Sequence, residues 1–295
     1  MRQVHALIQG VILGVLTAGV FALMASGQTL IFGIMKVVNL AQGAMVILGA
    51  YLSYQLFTSF GLDPFLAIPV TTVIMFALGV AVQWLFLRPL KKDDRSELSL
   101  LITFAVALLI EGVMSITWHT TYRSINAGYA NSSWSLFGYQ ITLVRLWAFL
   151  LSLAALGLLY LLLNHTRFGR AVRATVQNPE SAKLLGIEAD RVSALGFGLG
   201  AATAAAAGSV YGLLYPFNPG SHYDLISKLL SIVILGGLGS VGGAVLGAVI
   251  VSTSSAVVAA TISPAWSEMT FFVILIAILL VRPQGIFGTT VRGAL

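Results

Sequence analysis

Charge is scarce in this chain. Only 9% of its 295 residues are Asp, Glu, Lys or Arg, against about 25% in soluble domains, and the mean hydropathy is +0.95. That balance excludes a soluble globular domain. Cysteine is absent, which removes disulfides, thiolate-bound zinc and thiol catalysis while identifying no compartment. No G-x-x-x-x-G-K-[ST] stretch occurs, so ATP, if it is used, must be hydrolysed by another chain. The four histidines, His5, His119, His165 and His222, are scattered at the edges of apolar runs without metal-ligand spacing. They are expected to be interfacial, with no metal site. Ser252, Thr253, Ser254 and Ser255 have no partnered base in view, which argues against a serine nucleophile.

What is present is apolar: 58% of the residues are hydrophobic and 30 are glycine. Several runs approach the roughly 20 residues that cross a bilayer, and small residues let membrane helices pack closely. The expected spans are 5–30, 39–60, 64–87, 98–118, 143–163, 192–214, 223–238, 242–260 and 266–282. The basic start "MRQVHALIQG" runs straight into further apolar sequence and reads as a retained first helix. The fold class is all-α, a polytopic membrane helical bundle of 8–9 segments, and residues 1–295 form a single transmembrane domain. The seventh and eighth spans are short and joined by "GGLGSVGG", which suggests a broken or hairpin pair.

Net charge of +6 would suit nucleic acid in a soluble protein. In a membrane protein, Lys and Arg instead mark cytoplasmic loops. Arg88, Lys91, Lys92 and Arg95 crowd into 88–97, and Arg167, Arg170, Arg173, Lys183 and Arg191 into 164–191. Placing both inside puts the N-terminus outside, and the tail with Arg282 and Arg292 inside. Twelve of the 16 basic residues, counting Lys36, then lie on the cytoplasmic side, while Arg2, Arg123, Arg145 and Lys228 do not. The outer loop 119–142 is rich in Tyr, Trp, Ser and Asn, as suits a cap that touches an external partner. Its Asn131-Ser132-Ser133 matches a glycosylation acceptor, which we read as a chance match.

Inside the second basic island, "QNPESAKLLGIE" specifies a short helix at both ends. Asn178 is a good N-cap, Pro179 fits the first helical position, and Glu180 suits the positive end of the dipole. Gly186 supplies the left-handed residue that terminates it. The helix should cover 179–185, with Ala182 and Leu185 on one face and Leu184 nearby. Two turns are marginal alone in water, so something must pack on the apolar side.

The stretch "TRFGRAVRATVQNPESAKLLGIEADRVSAL" resembles the cytoplasmic loop of LivH-type permeases of ABC importers for branched-chain amino acids. "LIFGIMKVVNLAQGAMVILGAY", "ILGGLGSVGGAVLGAVI" and "ILLVRPQGIFG" agree, so the resemblance covers nearly the whole chain. It implies a type II, ribose-permease-like fold in a bacterial inner membrane. It also implies a coupling element at Pro179, Glu180, Ala182, Lys183, Leu184, Leu185 and Gly186. The implied partners are a LivM-like second permease, two ABC ATPases that hold ATP and Mg²⁺, and an extracytoplasmic binding protein, all surrounded by membrane lipid. No cofactor belongs to this chain. Where family members often carry a polar residue, this chain has Ala44. The substrate stays open between branched-chain amino acids, urea, short amides and other amino acids.

Polar residues within spans are the remaining signals. Glu111 is the one acid deep inside an expected span, and such a residue is costly unless it faces protein or water. Asn39, Gln42 and Gly43 sit at a break, where they either line a path or tie helices together. Gly237, Gly239 and Gly242 satisfy G-x-G-x-x-G, but no acid follows about 20 residues later, so a dinucleotide site is rejected. An ion-coupled transporter would need more than Glu111, and an intramembrane enzyme would need paired catalytic groups that the sequence does not offer.

Overall fold

Apolar helices account for most of the chain. The computed structural model describes residues 2–90, 95–129, 132–136 and 138–287. Its helices are α1 (Arg2–Met35), α2 (Gln42–Phe60), α3 (Pro64–Val82), α4 (Arg95–Trp118), α5 (Leu143–His165) and α6 (Arg167–Gln177). There follow α7 (Pro179–Leu184), α8 (Ala189–Leu214), α9 (His222–Gly236), α10 (Val241–Thr261) and α11 (Pro264–Val281). A π-helical turn, Gln83–Leu87, prolongs α3. Among the described residues, eight helices are long and apolar enough to cross a membrane. The expectations for Lys91, Lys92, Asn131 and Arg292 fall outside the described residues.

Small residues decide the packing. Helix α8 is built largely of Ala and Gly and lies buried along most of its length. A Cβ on Gly49 of α2 would come 2.6 Å from the Ala205 Cα, and one on Gly79 of α3 would come 2.9 Å from the Gly198 Cα. Helix α1 packs antiparallel on α10 by the same means, with Gly10 against Val257 and Gly14 against Thr253.

These contacts sort the bundle into two ends. At the first, the strands β1 (Ser133–Leu136) and β2 (Tyr139–Thr142) form an antiparallel hairpin over the start of α1. There Gln9 Nε2 donates to the Gln140 carbonyl at 2.7 Å, and His5 stacks on Tyr139 at 4.3 Å. At the same end Tyr129 donates to Asp63 at 2.8 Å, and burial together with this bond pushes the Tyr129 hydroxyl pKa up. At the other end Arg88 pairs with Asp190 in the first turn of α8 at 3.7 Å, α6 and α7 pack on α8, and α6 lies beside the turn between α9 and α10. The described parts of the segments expected to share a side therefore share an end.

The seventh span needs correction. Residues 223–238 were expected to cross, yet α9 has 15 residues, about 22 Å at the helical rise against a hydrocarbon core of ~30 Å. It begins below the first end, where the His222 carbonyl lies against Gly43 at the start of α2. It then forms an antiparallel hairpin with α10, in which Gly236 faces Gly243 and Ile232 faces Gly247. Gly237 and Gly239 make the turn with φ of 98° and 88°, backbone that only glycine adopts without strain. Ser240 caps α10, its hydroxyl accepting from the Gly243 N–H at 3.1 Å. Helices on both sides of the turn leave no strand for a dinucleotide fold. The segment 215–236 still carries the chain from one end to the other, so the parity of nine passages is kept.

Three other elements differ from expectation. Helix α1 continues to Met35, beyond the expected residue 30, because Ile31 and Ile34 are buried in the bundle. The β-hairpin and α6 were not anticipated at all. The alternation Ser133-Trp134-Ser135-Leu136 was a strand signal hidden within a loop.

A Cβ on Gly243 would collide with the Gly236 carbonyl, whereas Gly242 has open space. Gly243→Val should therefore destabilise the protein by about 1–3 kcal/mol, lowering its melting temperature in detergent, while Gly242→Ala should leave it unchanged.

Candidate functional site

At the basic end, two short helices project from the bundle. Thr166 caps α6, its hydroxyl accepting from the Gly169 N–H at 3.2 Å. Phe168, Val172 and Thr175 turn toward the protein, Arg167 and Arg170 turn outward, and Arg173 is exposed but donates to the Leu163 carbonyl of α5 at 2.5 Å. The three-residue spacing of these arginines was the signal for this amphipathic helix. Helix α7 follows directly. The Asn178 side chain accepts from the Glu180 and Ser181 N–H groups at 3.0 and 3.1 Å, and Gly186 has φ of 77°. Both caps thus form where the sequence places them.

The face of α7 differs from the expectation. Ala182 is 1% exposed and packs on this chain, while Leu184 and Leu185 are 89% and 78% exposed. The outward apolar surface is therefore Leu184 and Leu185, without Ala182. Lys183 pairs with Glu180 at 3.6 Å on the solvent side. Leucines left in water lose the hydrophobic stabilisation of burial, of the order of 1.5–3 kcal/mol each.

Within the bundle, Glu111 belongs to a small polar cluster. Tyr223 donates its hydroxyl proton to Glu111 Oε2 at 2.9 Å, and His222 Nε2 lies 3.9 Å from the same oxygen. His222 is not the interfacial residue expected of it, being 1% exposed. Its Nδ1 is 2.9 Å from the Pro219 carbonyl, which requires the proton on Nδ1 and leaves Nε2 facing the carboxylate. The Glu111 side chain is about a quarter exposed, at 24%, on a helix whose neighbouring outward residues Leu108, Leu109 and Val113 are apolar and exposed. Sequence reasoning found Glu111 and missed His222 and Tyr223, because the pairing spans 112 positions.

Asn39 and Gln42 are wholly buried. Asn39 Nδ2 donates to Gln42 Oε1 at 3.2 Å, and Gln42 Nε2 donates to the Gly200 carbonyl of α8 at 3.2 Å and to the Met24 carbonyl of α1 at 3.5 Å. Asn39 Oδ1 also accepts from the Ala41 N–H at 3.1 Å. These residues tie α1, α2 and α8 together and face no open space within this chain. Gly43 lets α9 approach, since a Cβ there would come 2.6 Å from the His222 carbonyl. Among the described residues, no group of three or more His, Asp or Glu could hold a metal.

A bundle of apolar helices long enough to span a bilayer, with a charged, capped projection at one end, has the architecture of a multi-pass membrane protein. Residues 10–279 match the family model for the permease component of branched-chain amino acid transport systems, and the chain belongs to that family. It is 30% identical to the LivH permease of the high-affinity branched-chain amino acid transport system of Escherichia coli K12, over 93% of each chain. It is 27% identical to the corresponding BraD permease of Pseudomonas aeruginosa, over 98% of each chain. A probable LivH of Methanocaldococcus jannaschii is 30% identical, over 93% of this chain and 90% of that one. No solved structure matches significantly.

Gln42→Leu would strip Asn39 of its acceptor and two buried carbonyls of a donor. We expect a loss of stability of about 1–3 kcal/mol, measured as lower abundance and melting temperature.

Proposed function

We propose that this chain is one permease subunit of an ATP-driven importer that carries branched-chain amino acids into the cell by alternating access. The observation that carries the reading is the family match over 10–279, combined with the exposed leucine pair on α7. Helix α7 is too short to be stable alone, and it presents Leu184 and Leu185 outside the spanning helices. A groove on an ATPase subunit is the partner that satisfies both conditions. Movement of that groove on nucleotide binding would push α7, and with it α6 and the start of α8. Two ATPases would hold the ATP and Mg²⁺, a second LivM-like permease would close the path, and an extracytoplasmic binding protein would deliver substrate at the hairpin end.

Orientation follows from charge. Arg88, the arginines of α6, Lys183 of α7 and Arg282 gather at one end, and positive residues are retained in the cytoplasm. That end is cytoplasmic in our reading, and residue 1 is external, in a bacterial inner membrane. The path is assigned to the face bearing Glu111, because a carboxylate at that depth is tolerated only against water or protein. Asn39, Gln42 and Gly43 support that wall from behind.

Leu185→Asp should insert normally, since the residue lies outside the bilayer. Uptake and substrate-stimulated ATPase activity should fall together by at least about tenfold, because burying an unpaired carboxylate in the groove costs several kcal/mol. Normal uptake with the ATPases still bound would refute the coupling role. In this Cys-free chain, Ser124→Cys should react with an impermeant thiol reagent in intact cells and Ser181→Cys should not. Glu111→Gln should reduce transport while leaving abundance unchanged, whereas a packing role would leave transport intact.

A further inference from the structure

At the hairpin end a cleft opens between α1, α5, α8, α9, α10 and α11. It has a volume of about 600 Å³ and does not include Glu111. Its wall carries four charged side chains, Arg145, Asp224, Lys228 and Glu268, over an apolar floor that includes Phe21 and Phe271. Charges of both signs are present in equal number.

Their pairing is uneven. Lys228 Nζ lies 3.4 Å from Glu268 Oε1, so these two satisfy one another. Among the described residues Arg145 meets no carboxylate: its guanidinium donates to the Thr17 hydroxyl at 3.1 Å and sits 5.9 Å from the Tyr215 ring centre. Asp224 takes part in no hydrogen bond or ion pair among the described residues. The cleft therefore holds one guanidinium and one carboxylate, each without a countercharge. At its floor Ser252 is 4% exposed, and its Oγ has no hydrogen-bond partner. A buried hydroxyl without a partner is costly, and this one lines the cavity.

We infer that this cleft binds a free zwitterionic amino acid with an apolar side chain. The ligand's carboxylate meets Arg145, its ammonium meets Asp224, and its side chain lies on the floor between Phe21 and Phe271. The ligand is neutral overall, as the wall is, so binding completes two ion pairs without importing net charge into the membrane. The volume falls within the range of about 300–1,000 Å³ usual for small-molecule sites. Asp224 and Lys228 belong to α9, the short helix that also carries His222 and Tyr223 to Glu111. Occupancy of the cleft thus bears on the same helix that holds the Glu111 cluster. The inference shares the substrate class of the proposed function and rests on that reading for the choice of amino acid.

The test is equilibrium binding of radiolabelled leucine to the full chain in lipid nanodiscs, without nucleotide. Binding should be saturable. Asp224→Asn and Arg145→Gln should each weaken it by about tenfold or more, the loss of one charge-assisted bond, with melting temperatures unchanged. Neither 4-methylpentanoate, which lacks the ammonium, nor 3-methylbutylamine, which lacks the carboxylate, should compete well. If Arg145→Gln does not fold, Arg145→Lys, which keeps the charge, should retain binding while Asp224→Asn loses it. Absence of saturable binding, binding kept in both variants, or competition by 4-methylpentanoate equal to that of leucine would overturn the inference. Because no ATPase is needed, a failure here leaves the coupling role of α7 standing, and failure of that role leaves the cleft standing.

Discussion

Helix α8 can lie in the middle of the bundle only because its sequence puts almost no side chain between it and its neighbours. Gly198 meets α3, Gly208 meets the α2 backbone near Val46, and Gly200 offers its carbonyl to Gln42. In lipid, helices gain little from the hydrophobic effect on associating, so close contact and a few buried hydrogen bonds must supply the attraction. The 36–41 connection is held against this core by Asn39 and Gln42, which also fixes where α2 begins. That starting point leaves the space into which α9 descends. Both polar clusters on α9 depend on the descent.

The arrangement couples the two ends through few rigid parts. Helix α8 is the longest element leading from the α6–α7 projection into the bundle, and its first turn is tied to Arg88 through Asp190. Helix α9 carries Tyr223 toward Glu111 and Asp224 toward the cleft, and it ends at the glycine turn beside the tail. There Ile286 and Phe287 donate their N–H groups to the Leu235 and Gly236 carbonyls at 2.8 and 3.2 Å. In the proposed coupling, a displacement of α7 would have packed backbone, rather than loops, along which to act on the proposed path.

Local chemistry was legible in the sequence and depth was not. The caps of α7 were readable because Asn178, Pro179 and Gly186 act on backbone groups within a few residues of themselves. Glu111 stood out because a carboxylate among apolar residues needs no neighbour to be conspicuous. The glycine run near 237 announced a break for the same local reason. By contrast, the inward turn of Ala182 depends on how α7 packs on its own chain. The Glu111–Tyr223–His222 cluster is made by two helices whose sequences share no pattern. The shortness of the seventh span was legible, but the entry of residues 215–221 into the bundle ahead of α9 was not, because a dipping segment carries no hydropathy pattern of its own. The arginine spacing of α6 was visible, but it competed with the plainer reading of a charged loop.

The central claim is that Leu184 and Leu185 are exposed in this chain because another protein grips them. The most direct measurement places a photo-crosslinking amino acid at Leu184 in the assembled importer in native membranes, with and without ATP. The account predicts a crosslink to an ATPase subunit whose yield changes with nucleotide. A probe at Leu184 that labels only lipid, water or this same chain, in a complex that still transports, would contradict it.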